Sequence, residues 1–345
     1  MSANKSANVT LKDVAKAVGV SAMTVSRVLS GKADLVNPET AKKCREAAER
    51  LGYYPNLMAR SLRGEQLRTI VLFAEFVSRH HYLAELLDAT FRAIEQRGHS
   101  VIVCNSLLSL RQATKNFKLA GAVILAPPEE LFTGPPPASR GPREPTVVIH
   151  SAFDQRLFNE VSPDIQGFTR MAAQHLLDLG HRHIGYLGGP RIEDEPHWFD
   201  LRRRGIDEAL ARYESDSAQC RYQACPDAEM APASLHQLLA KAPRTTGVLC
   251  LSDEIAVAAI AGAEELGRAV PQKLSIVGSN NIKLAGFFRP SLTTLEIDIR
   301  ALVETALDLL FDEINRGPSA QRGEPVRIRL PANLVVRNSS GPPPA

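Results

Sequence analysis

The chain has 345 residues, enough for two or three domains. With 44% hydrophobic and 23% charged residues it has a globular composition, and it contains no run of about 18 apolar residues, which excludes a membrane-spanning helix. The net charge of +3 conceals an asymmetry: residues 1–64 carry 11 Lys and Arg against 5 Asp and Glu, and the remainder 30 against 33. A basic head on a mildly acidic body suits phosphate contact through counterion release. Five cysteines (Cys44, Cys104, Cys220, Cys225, Cys250) form no zinc-like spacing, and an odd count argues against a disulfide framework. With no apolar leader at the N-terminus, a cytoplasmic location is expected, with neither metal nor cofactor.

Taken in chain order, the first elements read as two short helices meeting at Gly19. Thr10 and Asp13 stand in the places of a capping box. Val14, Ala15 and Val18 give an apolar face, and Gly19 supplies the positive φ that ends the helix. Ser21 caps the second helix by accepting from the Thr24 amide. Val25, Val28 and Leu29 face inward, leaving Ala22, Met23, Ser26 and Arg27 outward. A third helix starts at Asn37-Pro38-Glu39, with Pro38 at its first position, and stops at Gly52. Small and polar residues opening the second helix fit a helix-turn-helix that lays that helix in the DNA major groove, although an ordinary three-helix bundle has the same layout.

The run Thr10–Leu29, followed by Gly52-Tyr53-Tyr54-Pro55-Asn56, closely resembles the lactose-repressor/galactose-repressor (LacI/GalR) family of bacterial transcription regulators. The resemblance implies that Ala22 and Met23 contact base edges through apolar surface, and that Arg27 reads a guanine through O6 and N7. It implies phosphate or sugar contacts for Ser21, Thr24, Ser26 and Asn37, and Thr10 is counted among the DNA-binding residues. Residues 55–64 resemble the family's hinge helix, which is too short to be stable alone. There Asn56 and Ala59 meet DNA, and Leu62 wedges into the minor groove at the operator centre.

The body alternates apolar runs with amphipathic stretches. Strands are expected at Thr69–Ala74, Ser100–Asn105, Gly121–Leu125, Thr146–His150, His183–Leu187, Thr246–Leu251 and Leu274–Gly278. Helices are expected at Leu83–Arg97, Phe168–Gly180, Leu201–Arg212 and Glu254–Leu266. This alternation predicts an α/β fold with parallel sheets, which bind ligands at the carboxyl ends of their strands. The family resemblance implies two Rossmann-like subdomains of the periplasmic-binding-protein type. The domain reading is a head over 1–54, a hinge over 55–64, and an N-terminal subdomain over 65–163 plus 295–325. A C-terminal subdomain covers 164–294 plus 326–338, and a disordered tail 339–345. Crossovers are expected near Ser162–Asp164, Leu292–Leu295 and Gly317–Val326. The seven prolines between Pro127 and Pro145 predict an irregular loop.

Transferred to this chain, the family's effector pocket places Arg202 as a donor to ligand oxygens and Asp253 as an acceptor from sugar hydroxyls. Asp164, Asn280 and Tyr82 are weaker candidates. Trp198, read as part of the loop before Arg202, either stacks on a sugar ring or packs. His181 and His183 could bind metal by spacing, but a structural turn is preferred. The expectation is therefore a homodimeric repressor, not an enzyme, that binds palindromic double-stranded operator DNA under control of a small sugar or sugar-acid effector. A sugar-binding protein of transport is the alternative.

Overall fold

The computed structural model describes residues 9–29, 36–53, 69–75, 81–133, 144–151, 153, 157–189, 196–213, 218–317 and 323–344. The chain divides into two compact units, residues 1–67 and 68–345.

The first unit holds three helices, α1 (Leu11–Val18), α2 (Ala22–Leu29) and α3 (Pro38–Leu51). Asp13 accepts from the Thr10 amide (2.8 Å) and hydroxyl (2.6 Å), which fixes the start of α1. Gly19 and Gly52 end α1 and α3 at φ 74° and 67°, a region costly for residues with a Cβ. The helices close on Val14, Ala15, Val25, Val28, Ala41, Cys44, Ala47 and Ala48, all buried, with Leu29 half-buried beside them.

The second unit is built on two six-stranded sheets. Its elements in order are β1 (Thr69–Ala74), α4 (His81–Gln96), β2 (Ser100–Cys104), α5 (Leu107–Asn116), β3 (Gly121–Leu125), α6 (Glu130–Thr133), β4 (Thr146–Ile149) and β5 (Asn159–Pro163). There follow α7 (Ile165–Asp178), β6 (His183–Leu187), α8 (Pro196–Leu210), β7 (Gln219–Gln223), α9 (Ala231–Lys241), β8 (Gly247–Cys250), α10 (Asp253–Glu265) and β9 (Ser275–Ser279). The chain ends with β10 (Thr293–Glu296), α11 (Ile299–Arg316), β11 (Arg327–Leu330) and β12 (Asn333–Val335). One sheet has the order β11-β5-β4-β3-β1-β2 and is parallel throughout. The other has the order β12-β10-β9-β8-β6-β7, with only β12 antiparallel. Strands β1, β3, β4, β8 and β9 are buried along their whole length, as helices on both faces of a parallel sheet require.

The structure moves two crossovers. Residues 293–296 form β10 in the second sheet, so the chain returns to the first at 297–298 rather than within 292–295. Residues 327–330 pair parallel with β5, so the last crossing lies at 331–332 rather than 317–326. The N-terminal subdomain therefore keeps residues up to 330. A tertiary ion pair makes this edge strand possible: Arg329 lies 2.6 Å from the fully buried Glu160 carboxylate. The expected disordered tail is also corrected. Ser339 is fully buried, accepting from the Thr293 amide and donating to the Ile276 carbonyl. The Gly341 carbonyl accepts from the Ser275 hydroxyl at 2.9 Å and lies 2.9 Å from His181 Nε2. His181 is fully buried, with Nδ1 2.8 Å from the Thr246 hydroxyl, so it anchors the tail. Among the described residues, no helix is long and apolar enough to cross a membrane.

Candidate functional site

On the head, α2 presents its outer face through residues four apart on a helix. Met23 is 65% exposed and Arg27 is exposed, whereas Val25 and Val28 turn inward. Ala22, Thr24 and Ser26 are half-buried. Three of the expected DNA-binding residues already use their side chains as caps. The Thr10 hydroxyl binds Asp13, the Ser21 hydroxyl accepts from the Thr24 amide (3.1 Å), and Asn37 accepts from the Glu39 amide (2.9 Å). Asn56, Ala59 and Leu62 lie outside the described residues.

On the body, a cleft of about 440 Å³ lies between the two sheets. Its lining comes from the carboxyl ends of parallel strands: Glu75 follows β1, Ala126 to Glu130 follow β3, His150 follows β4, and Ser279 and Asn280 close β9. Ala126 (φ 42°), His150 (61°) and Asn280 (99°) all adopt left-handed backbone here, conformations that functional sites concentrate.

An aromatic row crosses the cleft. The Tyr82 hydroxyl lies 3.2 Å from His150 Nδ1, with the rings 5.1 Å apart. His150 stacks on Trp198 at 4.8 Å and 28°. The Arg202 guanidinium lies 5.6 Å from the Trp198 ring centroid and donates to the Trp198 carbonyl at 3.1 Å. Tyr82 and His150 belong to the first subdomain, Trp198 and Arg202 to the second. Burial pushes the Tyr82 hydroxyl well above its ordinary range, so it remains a phenol. Burial, then the neighbouring Glu130, raises the Glu75 carboxyl. Further contacts join the subdomains: His197 lies 4.0 Å from Glu129, Lys283 3.5 Å from Glu85, and the His81 amide donates to Glu254 at 3.3 Å.

Of the expected effector residues, Arg202, Asn280 and Tyr82 line the cleft. Arg203 is exposed and paired with Asp200 and Asp207, which separates Arg202 from the charge run around it. Asp253 and Asp164 are corrections. Asp253 is fully buried, and its carboxylate accepts from the Ile282 amide (2.8 Å) and the Thr294 hydroxyl (2.5 Å), so it holds the 280–282 loop from behind. Burial raises its pKa from 3.8 to about 7. Asp164 caps α7 by accepting from the Gly167 amide at 2.9 Å and does not line the cleft. Trp198 belongs to α8, one helical turn before Arg202, not to a loop. His150 and the carboxylates Glu75, Glu129 and Glu130 were missed. Position could have found His150 and Glu75, since Glu75 immediately follows one predicted apolar strand, Thr69–Ala74, and His150 ends another, Thr146–His150.

Residues 10–56 match the model of bacterial regulatory proteins of the lacI family, and residues 173–340 that of a periplasmic binding protein-like domain. The HTH-type transcriptional repressor PurR of Pectobacterium atrosepticum is 31% identical over 344 residues, covering 96% of each chain. The chain belongs to the lacI family of bacterial regulatory proteins. PurR of Yersinia enterocolitica is 32% identical, again over 96% of each chain. A lac repressor dimer bound to operator and the anti-inducer ONPF aligns with a TM-score of 0.79 at 26% identity, over 97% of this chain and 100% of that one. A CelR–cellobiose complex aligns at 0.66 and 26% identity, over 96% and 99%. This lacI-family chain is thus a repressor-type, DNA-binding transcription regulator with a ligand-binding body, and not an enzyme.

Proposed function

We propose that the chain represses transcription as a homodimer on a palindromic operator, and that a small carbohydrate-type effector in the cleft sets its DNA affinity. The exposed pair Met23 and Arg27 on α2 supports the DNA half. Arg27 would reach guanine O6 and N7, Met23 and Ala22 would lie on apolar base edges, and Leu62 would wedge the minor groove. Exposed apolar side chains on β2 and α5 (Val103, Leu108) and on the loop after β9 (Leu284, Phe287) offer the surface that a second copy would cover.

The cleft carries the effector half. Its 440 Å³ accommodates a small sugar. Arg202 supplies donors, Glu75, Glu129 and Glu130 supply acceptors, and Trp198 and Tyr82 offer flat apolar faces. The CelR–cellobiose complex among the structural neighbours is consistent with this reading. A flat heterocycle of the purine type is the second reading, favoured by the Tyr82–His150–Trp198 ring row.

A thermal-shift screen of the full chain against neutral sugars, sugar derivatives and purines separates the two. A ligand at a hundred times its Kd stabilises by about 2.7 kcal/mol. Sugars are expected to raise the Tm. A shift by purines alone would favour the second reading, and a sugar that binds without changing operator affinity would contradict the regulatory role.

A further inference from the structure

We propose that Asn281, which does not itself line the cleft, is a positioning residue for the effector: its side chain braces the loop that presents Asn280 to the ligand. The inference rests on the cleft as the effector site, under either the sugar or the purine reading.

Residues 280–282 turn the chain sharply at the carboxyl end of β9. Asn280 (φ 99°) and Asn281 (φ 48°) are consecutive left-handed residues, and neither is glycine. Such backbone persists only where its surroundings fix it. The Asn280 amide donates to the Leu295 carbonyl at 2.7 Å, the Asn281 amide to the Thr294 hydroxyl at 3.3 Å, and the Ile282 amide to Asp253 at 2.8 Å. The Asn281 side chain adds a brace. Its Oδ1 accepts from Arg337 Nη2 at 2.8 Å, and its Nδ2 donates to Glu296 Oε1 at 2.7 Å. A guanidinium on one side and a carboxylate on the other make both bonds charge-assisted and fix which way the amide faces. Arg337 is itself anchored, donating to the Leu292 carbonyl at 2.6 Å.

The two asparagines divide the work. Asn280 lines the cleft, and among the described residues no hydrogen bond engages its side chain. Its carboxamide keeps both donors and its acceptor for sugar hydroxyls or for the edge of a heterocycle. Asn281 uses its carboxamide for the brace and stands behind the wall. Glu296 immediately precedes the crossing at 297–298, and Ile297 lines the cleft, so the brace ties the Asn280 loop to a segment that joins the subdomains. Without the brace, the Asn280 carboxamide must be ordered as the ligand binds, and affinity falls by the cost of that ordering.

The test is a double-mutant cycle on the full chain. The probe is whichever of D-glucose, D-galactose, D-mannose, cellobiose, adenine and guanine most raises the parent Tm, titrated by calorimetry. Asn281→Gly removes the brace and keeps the left-handed turn without strain. It is expected to weaken probe binding about tenfold, the scale of one hydrogen bond. In the Asn280→Ala background the same substitution is expected to change affinity less than about twofold, because no side chain remains to be positioned. Glu296→Gln keeps an acceptor for Asn281 and should bind like the parent, whereas Glu296→Ala should resemble Asn281→Gly. The positioning role is overturned, and the cleft reading stands, if Asn281→Gly leaves affinity unchanged or weakens it equally with and without the Asn280 side chain. Equal affinities in Glu296→Gln and Glu296→Ala would overturn it too. If no probe binds the parent, the cleft reading falls and the positioning role with it.

Discussion

At the residue scale, Asp253 and His181 oppose one another. Burial lifts the Asp253 carboxyl to about 7, so between about 4 and about 7 the folded chain holds a proton that the unfolded chain releases. Asp253 therefore makes stability fall as pH rises through that window. His181 is held below its ordinary value of 6.5, chiefly by burial, and so makes stability fall as pH drops below about 6.5. Asp253→Asn isolates the first effect. Denaturant unfolding of the full chain at pH 5 and pH 8 should show the variant gaining on the parent as pH rises, and a constant difference would contradict the assignment. Arg27 is tested differently. Arg27→Ala should relax base preference at one position per half-site, by roughly 1–3 kcal/mol in competition binding. Equal loss on every sequence would mean that Arg27 contacts phosphate instead.

At the element scale, α8 depends on one glycine. A Cβ on Gly205 would lie 2.3 Å from the Gln166 carbonyl oxygen and 2.9 Å from the Arg170 amide nitrogen, both backbone atoms of α7. Gly205→Ala should force the helices apart, destabilise the body by about 1–3 kcal/mol, and weaken effector binding because Trp198 and Arg202 ride on α8. An unchanged Tm would contradict this packing. The strands β1, β3 and β4 were legible because each is built on an unbroken apolar run. Strands β5 and β11 were not, because Glu160, Ser162, Arg327 and Arg329 read as solvated, whereas Glu160 is buried with Arg329 and the Ser162 hydroxyl on its carboxylate. The tail was misread for the same reason. Ser339 to Gly341 are polar in sequence, but their partners at Thr293, Ile276 and Ser275 lie more than forty residues away. The caps of the head, in contrast, are local, and Thr10, Ser21 and Asn37 could be read from their neighbours alone.

At the scale of the whole molecule, the cleft proposed for the effector is bounded by two subdomains that meet through a ring stack and a few ion pairs, not through an apolar interface alone. Trp198 on His150, His197 beside Glu129 and Lys283 beside Glu85 are contacts that a change in subdomain angle would break. A ligand shifts such an equilibrium only by its differential affinity for the two arrangements. Trp198→Ala removes the stack and should weaken effector binding about tenfold or more, because an aromatic platform contributes roughly 1–3 kcal/mol by truncation. An unchanged effector Kd would place the ligand elsewhere. The direction of Asp253 was not legible in sequence for a related reason. Ser252-Asp253 announces a helix start, but the loop around Ile282 and the strand holding Thr294 decide where the carboxylate turns.

The proposed dimeric, sequence-specific repressor makes a direct demand on DNA binding. The most direct test selects duplexes from a random library with the full chain and compares the best of them with a scrambled duplex by fluorescence anisotropy at about 150 mM salt. An inverted repeat bound by two chains, with a preference of about a thousandfold or more, is expected. Equal affinity for the selected and scrambled duplexes would contradict it.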